Sequence, residues 1–188
     1  MKKRKLSFGD VLLLVFLLLL LIPQTRKPIQ VALNQIKLQF FSPSVLENED
    51  RKVIQPFNYS VRTLNGKNIT LGIGKNKVTF ISYWATWCPP CIAEMPSIQK
   101  LYNDYGDKVN FILLTNEEPE VITKFLHKKE FNLPVYIPKM SAPEALFEKS
   151  IPTNYIIDKE GTIVVKETGS TDWNSKNTRE ILENLLLE

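Results

Sequence analysis

Apolar and polar positions change period along this chain, and each change marks a different kind of element. The first pattern has no period at all: Val11–Ile22 is an unbroken apolar run, lengthened by Leu6 and Phe8. A basic head of Lys2, Lys3, Arg4 and Lys5 precedes it, and Pro23, Gln24, Thr25, Arg26 and Lys27 end it. A basic head before an apolar run is either a cleaved secretory signal or a retained signal-anchor. The core run is short for a membrane span of about twenty residues. Against cleavage, no A-x-A-like site comes after it, and no cysteine stands nearby to take a lipid. The expectation is an anchor over residues 1–27. The denser basic cluster lies at its head, which keeps the N-terminus cytoplasmic and puts the remainder outside.

Residues 28–56 read as a linker. Within it Ile29, Ala32, Leu33, Ile36 and Phe40 fall at helical spacing, and Pro28 suits a first helical turn. An amphipathic helix on the membrane or on the domain competes there with a loose spacer. Ser42–Pro56, with two prolines and an acidic cluster, reads as an irregular entry to a folded domain.

From Phe57 the period becomes that of a folded α/β domain, residues 57–188. Phe57–Thr63 and Lys67–Leu71 are β-rich runs around Leu64-Asn65-Gly66, and Asn-Gly is a strong hairpin signal. Val78–Trp84 is a β-branched and aromatic strand. A helix continues from it to about Tyr105, where Gly106 can end it, with Pro96 predicted to kink it. Val109–Thr115 is apolar almost throughout, as a buried parallel strand would be. Glu117–Phe131 predicts a helix, Val135–Ile137 a short strand, and Ala142–Lys149 a short helix. Asn154–Asp158 and Thr162–Glu167 flank a Lys-Glu-Gly turn and predict an antiparallel hairpin. Lys176–Leu187 closes the domain as a helix with Ile181, Leu182 and Leu185 inward.

Charge changes the picture only by its distribution. The chain of 188 residues carries a formal net charge of +4. Met1–Lys27 holds six Lys/Arg and one Asp, so the remainder, with eighteen basic and nineteen acidic residues, stands at −1. The basic balance belongs to the N-terminal arm, and the globular part presents no basic surface for nucleic acid. Two cysteines and one histidine are too few soft ligands for a zinc site within one chain. His127 reads as a helix surface residue. No phosphate loop or dinucleotide fingerprint is present.

The chemistry concentrates at Trp87-Cys88-Pro89-Pro90-Cys91, where the strand meets the helix. Pro89 and Pro90 suit a first turn, where a missing N–H costs nothing. A thiol at that point faces unpaired N–H groups and the positive end of the helix dipole, which favour thiolate. Cys91 stands about one turn later, within disulfide reach of Cys88. As a structural staple, a loop this short would remove little unfolded-state entropy. A redox pair is the better reading, with Cys88 the exposed attacking sulfur and Cys91 the shielded resolving sulfur. Glu94, three residues on, shares the helical face of Cys91 and could exchange its proton.

The stretch WATWCPPCIAEMP resembles the active site of the thioredoxin superfamily, and most of all the membrane-anchored TlpA/ResA branch of bacterial thiol-disulfide oxidoreductases. The resemblance extends from about Phe57 to Glu188. It implies a thioredoxin-like fold, a central mixed sheet flanked by helices, with an N-terminal β-hairpin extension behind the anchor. In that branch a glutamate three residues after the second cysteine is functional, and Glu94 occupies that place. General thioredoxins carry a buried aspartate six residues before the first cysteine; here that residue is Ser82. The superfamily also places a cis proline beside the redox pair, and Pro152, between Ile151 and Thr153, matches it. A proline there leaves the backbone of Ile151 free to pair with an extended substrate segment.

The resemblance implies a membrane-tethered reductase of protein disulfides that needs no cofactor. Its site is Cys88, Cys91 and Glu94, with substrate contacts at Trp87, Pro89, Pro90, Ile151, Pro152 and Thr153. Electrons would come from a membrane carrier of the CcdA/DsbD type, and apocytochrome c in cytochrome c maturation is among the substrates implied. The catalytic domain would face the periplasm or the corresponding extracytoplasmic side. Three rivals share the motif: a DsbA-like thiol oxidase, a thiol peroxidase, and a binding module that reuses the fold. A peroxidase calls for an arginine near the nucleophile, and none lies close in sequence.

Overall fold

The computed structural model describes residues 7–188. The head of the anchor predicted over residues 1–27 therefore lies in part outside the described residues. The apolar run forms helix α1, Phe8–Leu21, whose first turn is tied by the Ser7 N–H donating to the Asp10 carboxylate at 2.9 Å. Val11 through Leu19 are all exposed. Fourteen residues rise about 21 Å, against about 30 Å for a hydrocarbon core. Among the described residues no helix is long and apolar enough to cross a membrane. Ile22 adopts an extended conformation and breaks α1 from α2, Pro23–Leu38.

Helix α2 starts five residues earlier than the apolar spacing predicts. Pro28 stands inside it rather than in its first turn, and Pro23 takes the N-terminal position. It packs along α3, Pro89–Tyr105. The stretch after it is also docked rather than loose. The Leu46 N–H bonds the Val164 carbonyl (2.8 Å), the Ile54 N–H bonds the Gly161 carbonyl (2.9 Å), and Val53 bridges Thr162. Ile54, 4% exposed, explains the docking: its side chain joins the core.

Seven strands form one mixed sheet in the order β2-β1-β5-β4-β3-β6-β7. They are β1 (Phe57–Thr63), β2 (Asn68–Ile73), β3 (Thr79–Tyr83), β4 (Asn110–Leu114), β5 (Val135–Pro138), β6 (Thr153–Ile157) and β7 (Ile163–Thr168). The hairpin at Asn65-Gly66 pairs β1 with β2, Phe57 opposite Ile73. β3 and β4 are parallel, as their apolar runs predict, and so are β4 and β5. β6 runs antiparallel to β3 and to β7.

The alternation of side chains along the strands sorts the core into two layers. Phe80, Phe111, Leu113 and Ile156 face α3, α4 (Pro119–Lys129) and α5 (Lys176–Leu187). Ile81, Ile112, Leu114 and Tyr155 face the other way, onto Ile54 and Leu146. The helix predicted over Ala142–Lys149 is a correction: only one 3-10 turn forms, at Glu144–Leu146. Pro143 precedes it, and Leu146 alone of that turn is fully buried, so little apolar face is available to propagate a helix. Helix α3 ends at Gly106 for a reason other than a left-handed cap. Gly106 is itself right-handed (φ −58°), and a Cβ there would stand 2.7 Å from the Tyr102 carbonyl.

Candidate active site

The C-terminal end of β3 delivers the chain into a tight loop, Trp84–Trp87, and the loop delivers Cys88 to the N-cap of α3. Cys88 has extended dihedrals (φ −90°, ψ 105°), and its sulfur accepts from the Cys91 N–H at 3.2 Å. Pro89 and Pro90 fill the first turn. Cys88 and Cys91 form a disulfide with Cα atoms 5.3 Å apart. The expectation of an exposed Cys88 needs correction. It is 3% exposed and Cys91 0%, because both residues belong to the same core layer as Trp84, Ala85 and Met95, against which Ile151 also packs. Trp87 is the exposed member of the loop, at 64%.

Two groups that the motif does not contain grip the loop. Glu117, just beyond β4, accepts from the Thr86 N–H (2.6 Å) and from the Thr86 hydroxyl (2.6 Å), and also from the Thr115 hydroxyl (3.3 Å). From the other side Lys27 of α2 donates to the Thr86 carbonyl at 2.7 Å. Nothing in the local sequence links these residues to Cys88, since Lys27 lies 59 and Glu117 31 positions from Thr86.

The peptide bond Ile151–Pro152 is cis, as the resemblance implies. Pro152 and Thr153 are buried, and the Thr153 hydroxyl donates to the Ser150 carbonyl at 2.9 Å. Among the described residues no hydrogen bond engages the backbone of Ile151, so its N–H and C=O are available to an incoming segment. A cleft of about 720 Å³ opens at this loop, lined among others by Trp87, Ile151, Tyr83, Glu117, Met140 and Phe147.

Glu94 is not a solvated helix residue. It is 1% exposed and sits between α3 and the sheet. One carboxylate oxygen accepts from Asn154 Nδ2 at 2.9 Å. The other accepts from the Thr171 N–H (3.3 Å) and from the Trp173 indole N–H (3.2 Å). Burial dominates its proton affinity and raises its pKa to about 8, while the three donors pull it back down. A carboxyl group with that value, one helical turn from Cys91, is matched to taking up and returning a thiol proton near neutral pH. Trp173, fully buried, packs edge-on against Phe80 with centroids 4.9 Å apart, which fixes the indole that reaches Glu94. Ser82 lies beneath, fully buried and directly across from Asn154 on the neighbouring strand. Sequence reading named Ser82 only as the position of thioredoxin's missing aspartate, and it missed Asn154, Thr171, Glu117 and Lys27. A polar residue at the head of the otherwise apolar run predicted as the strand Asn154–Asp158 is the one signal that could have pointed to Asn154.

Comparison with known proteins agrees with this geometry. The model of the AhpC/TSA family matches residues 53–166. The thiol-disulfide oxidoreductase ResA of Bacillus cereus is 36% identical over 132 residues, covering 69% of this chain and 73% of the relative. ResA of Halalkalibacterium halodurans is 33% identical over 118 residues, covering 61% and 67%. Among solved structures, StoA from Bacillus subtilis superposes with a TM-score of 0.53 at 21% identity. That match covers 71% of this chain and 98% of the other, a likeness of fold.

Proposed function

The chain belongs to the AhpC/TSA family and is a ResA-type thiol-disulfide oxidoreductase of the thioredoxin superfamily, and from this premise we propose that it reduces protein disulfides at the outer face of the cytoplasmic membrane, to which its N-terminal segment tethers it. The observation that carries the reductase reading is the pairing of Cys88 at a helix N-cap with a buried carboxyl one turn behind Cys91.

The cycle starts from the dithiol. Cys88, having released its proton to solvent, attacks one sulfur of the substrate disulfide. The substrate S–S bond breaks, a Cys88–substrate bond forms, and the first substrate thiolate leaves. Cys91 then passes its proton to the Glu94 carboxylate and attacks the Cys88 sulfur. The second substrate thiolate leaves and takes back the proton that Glu94 held. The substrate has gained two electrons and the enzyme holds its disulfide. The cis-proline loop positions the substrate: an extended segment pairs with the free backbone of Ile151, and its side chains lie along the cleft past Trp87. Pro89 and Pro90 remove the first two N–H groups of α3 and leave that of Cys91 to donate to the Cys88 sulfur.

The tether rests on the basic head and on α1, whose apolar side chains from Val11 to Leu19 are exposed. With the domain outside, electrons must be resupplied through the membrane, and a carrier of the CcdA/DsbD type is the partner we assign. Cytochrome c maturation is one task such a reductase serves, with the haem-attachment cysteines of apocytochrome c as substrates.

The test is the reduction potential of the Cys88–Cys91 pair, measured by equilibration with glutathione or dithiothreitol buffers. A value near or below about −270 mV is the expected result. A value near about −120 mV would make the protein a disulfide donor and overturn the reductase assignment.

A further inference from the structure

All three hydrogen bonds to the Glu94 carboxyl group are donated to it, by the Asn154 amide, the Thr171 N–H and the Trp173 indole. That arrangement satisfies a carboxylate and leaves a protonated carboxyl with an O–H and no acceptor. Yet the proposed cycle requires Glu94 to hold a proton. The Thr171 and Trp173 donors cannot invert. The Asn154 amide can, since half a turn about its last torsion exchanges its NH2 for its carbonyl oxygen.

Two buried polar atoms on the facing strands β3 and β6 lack a partner. Asn154 Oδ1 and Ser82 Oγ are both buried without a hydrogen-bond partner, and both residues are 0% exposed. Asn154 and Ser82 are directly opposed on β6 and β3. Both point to the α3 side of the sheet, as Phe80 and Ile156 do two residues away on the same strands. We propose that Asn154 is a two-position amide switch that tracks the proton on Glu94 and uses the Ser82 hydroxyl as its second contact.

With Glu94 ionised, Asn154 Nδ2 donates to the carboxylate, as observed. With Glu94 protonated, the amide turns over. The Glu94 O–H then donates to Asn154 Oδ1, and the Ser82 hydroxyl, which does not bond Asn154 in the present state, turns about its χ1 to accept from Asn154 Nδ2. Each protonation state has its own hydrogen-bond partners, so the buried carboxyl can cycle between them without stranding a polar group. Asn154 and Ser82 are thus positioning residues that act through Glu94. The role rests on Glu94 exchanging the proton of Cys91, but the switch itself is readable without turnover.

No other titratable group competes for this assignment among the described residues. Cys91 is the one such neighbour on α3. Asp172, in the loop packed above, accepts from the Asn174 N–H at 3.0 Å, and Lys27 of α2 is bonded to Thr86. Tyr83 and Tyr155 project from the opposite face of the sheet.

The experiment is an NMR titration of the oxidised full chain in detergent micelles, with 13C-labelled glutamate and 15N-labelled asparagine side chains. Glu94 is identified by its loss in Glu94→Gln and Asn154 by its loss in Asn154→Ser. The Asn154 amide signals move with the midpoint of the Glu94 carboxyl carbon. Ser82→Ala removes the contact that serves only the protonated state. It lowers that midpoint by about half to one pH unit, a roughly 3- to 10-fold loss of proton affinity. Ser82→Thr keeps a hydroxyl and restores it. A midpoint that rises or stays fixed in Ser82→Ala overturns the switch. So does a Glu94 titration that leaves the Asn154 amide unmoved, although that result leaves the proton role of Glu94 standing. A Glu94 that does not titrate between pH 4 and 10 removes both.

Discussion

Replacing Glu94 with glutamine should stabilise this enzyme, and only at neutral to alkaline pH. The folded chain holds the Glu94 proton up to about pH 8, against an ordinary value of 4.5. Between those values the folded state keeps a proton that the unfolded chain has lost. Unfolding therefore releases a proton in that window, and stability falls as pH rises from about 4.5 to about 8, then levels off. At about 1.4 kcal/mol per pH unit the full cost above pH 8 approaches 5 kcal/mol. Glutamine carries no charge and fits the same contacts. Its carbonyl oxygen accepts from Thr171 and Trp173, and its NH2 donates to an Asn154 amide turned to present Oδ1. The assay is urea unfolding of the oxidised protein from pH 4 to 9, monitored by tryptophan fluorescence. Other groups titrate equally in both proteins, so the difference between wild type and Glu94→Gln isolates this carboxyl. With m-values of about 1–3 kcal/mol/M, the variant's midpoint should exceed wild type by roughly 2 M at pH 8.5 and match it near pH 4. A difference that does not change with pH, or a wild type that is the more stable at pH 8.5, would refute the reasoning.

Other outcomes are expected from the site and its supports. Cys88→Ser should abolish reduction of insulin disulfides, while Cys91→Ser should accumulate substrate as mixed disulfides visible on non-reducing gels; trapping by Cys88→Ser instead would reverse the two roles. Glu117→Ala strips the buried Thr86 N–H of its partner and should cost about 1–3 kcal/mol in urea unfolding. Glu117→Gln should recover most of that, since its oxygen still accepts from the N–H while its amide donates to the Thr86 hydroxyl; equal damage from both would mean that charge, not hydrogen bonding, holds the loop. Gly106→Ala should destabilise by about 1–3 kcal/mol despite the right-handed backbone, because its Cβ would meet the Tyr102 carbonyl at 2.7 Å; a neutral or stabilising result in the same assay would show that the helix end yields.

The sequence made legible whatever depends on neighbours in the chain. The apolar run of β3, the two prolines after Cys88, the Asn65-Gly66 turn and the period of Lys176–Leu187 each determined an element through local sterics and a one-sided pattern of burial. Where the pattern was interrupted, reading failed in a physically specific way. Pro28 suggested a helix start, but the helix had already begun at Pro23, leaving Pro28 about a turn inside it. The spacing of Ala142–Lys149 suggested a helix, but burial of Leu146 alone gives a longer helix nothing to pack. The site divides along the same line. Cys88, Cys91 and Glu94 share one helix, so their spacing placed them in one column. The groups that decide what Glu94 can do come from β6 and from the loop after β7, 60 to 79 residues away. The Asn154 contact depends on the antiparallel pairing of β6 with β3, which sets Asn154 against Ser82 and on the α3 side of the sheet. That same pairing explains how a chain with serine in the place of thioredoxin's aspartate can still present a buried carboxyl. The acid stands on the helix instead of the strand, with the Ser82 hydroxyl of β3 and the Asn154 amide of β6 opposed beneath it. A sequence motif records the carboxyl; only the register of two strands records the means of protonating it.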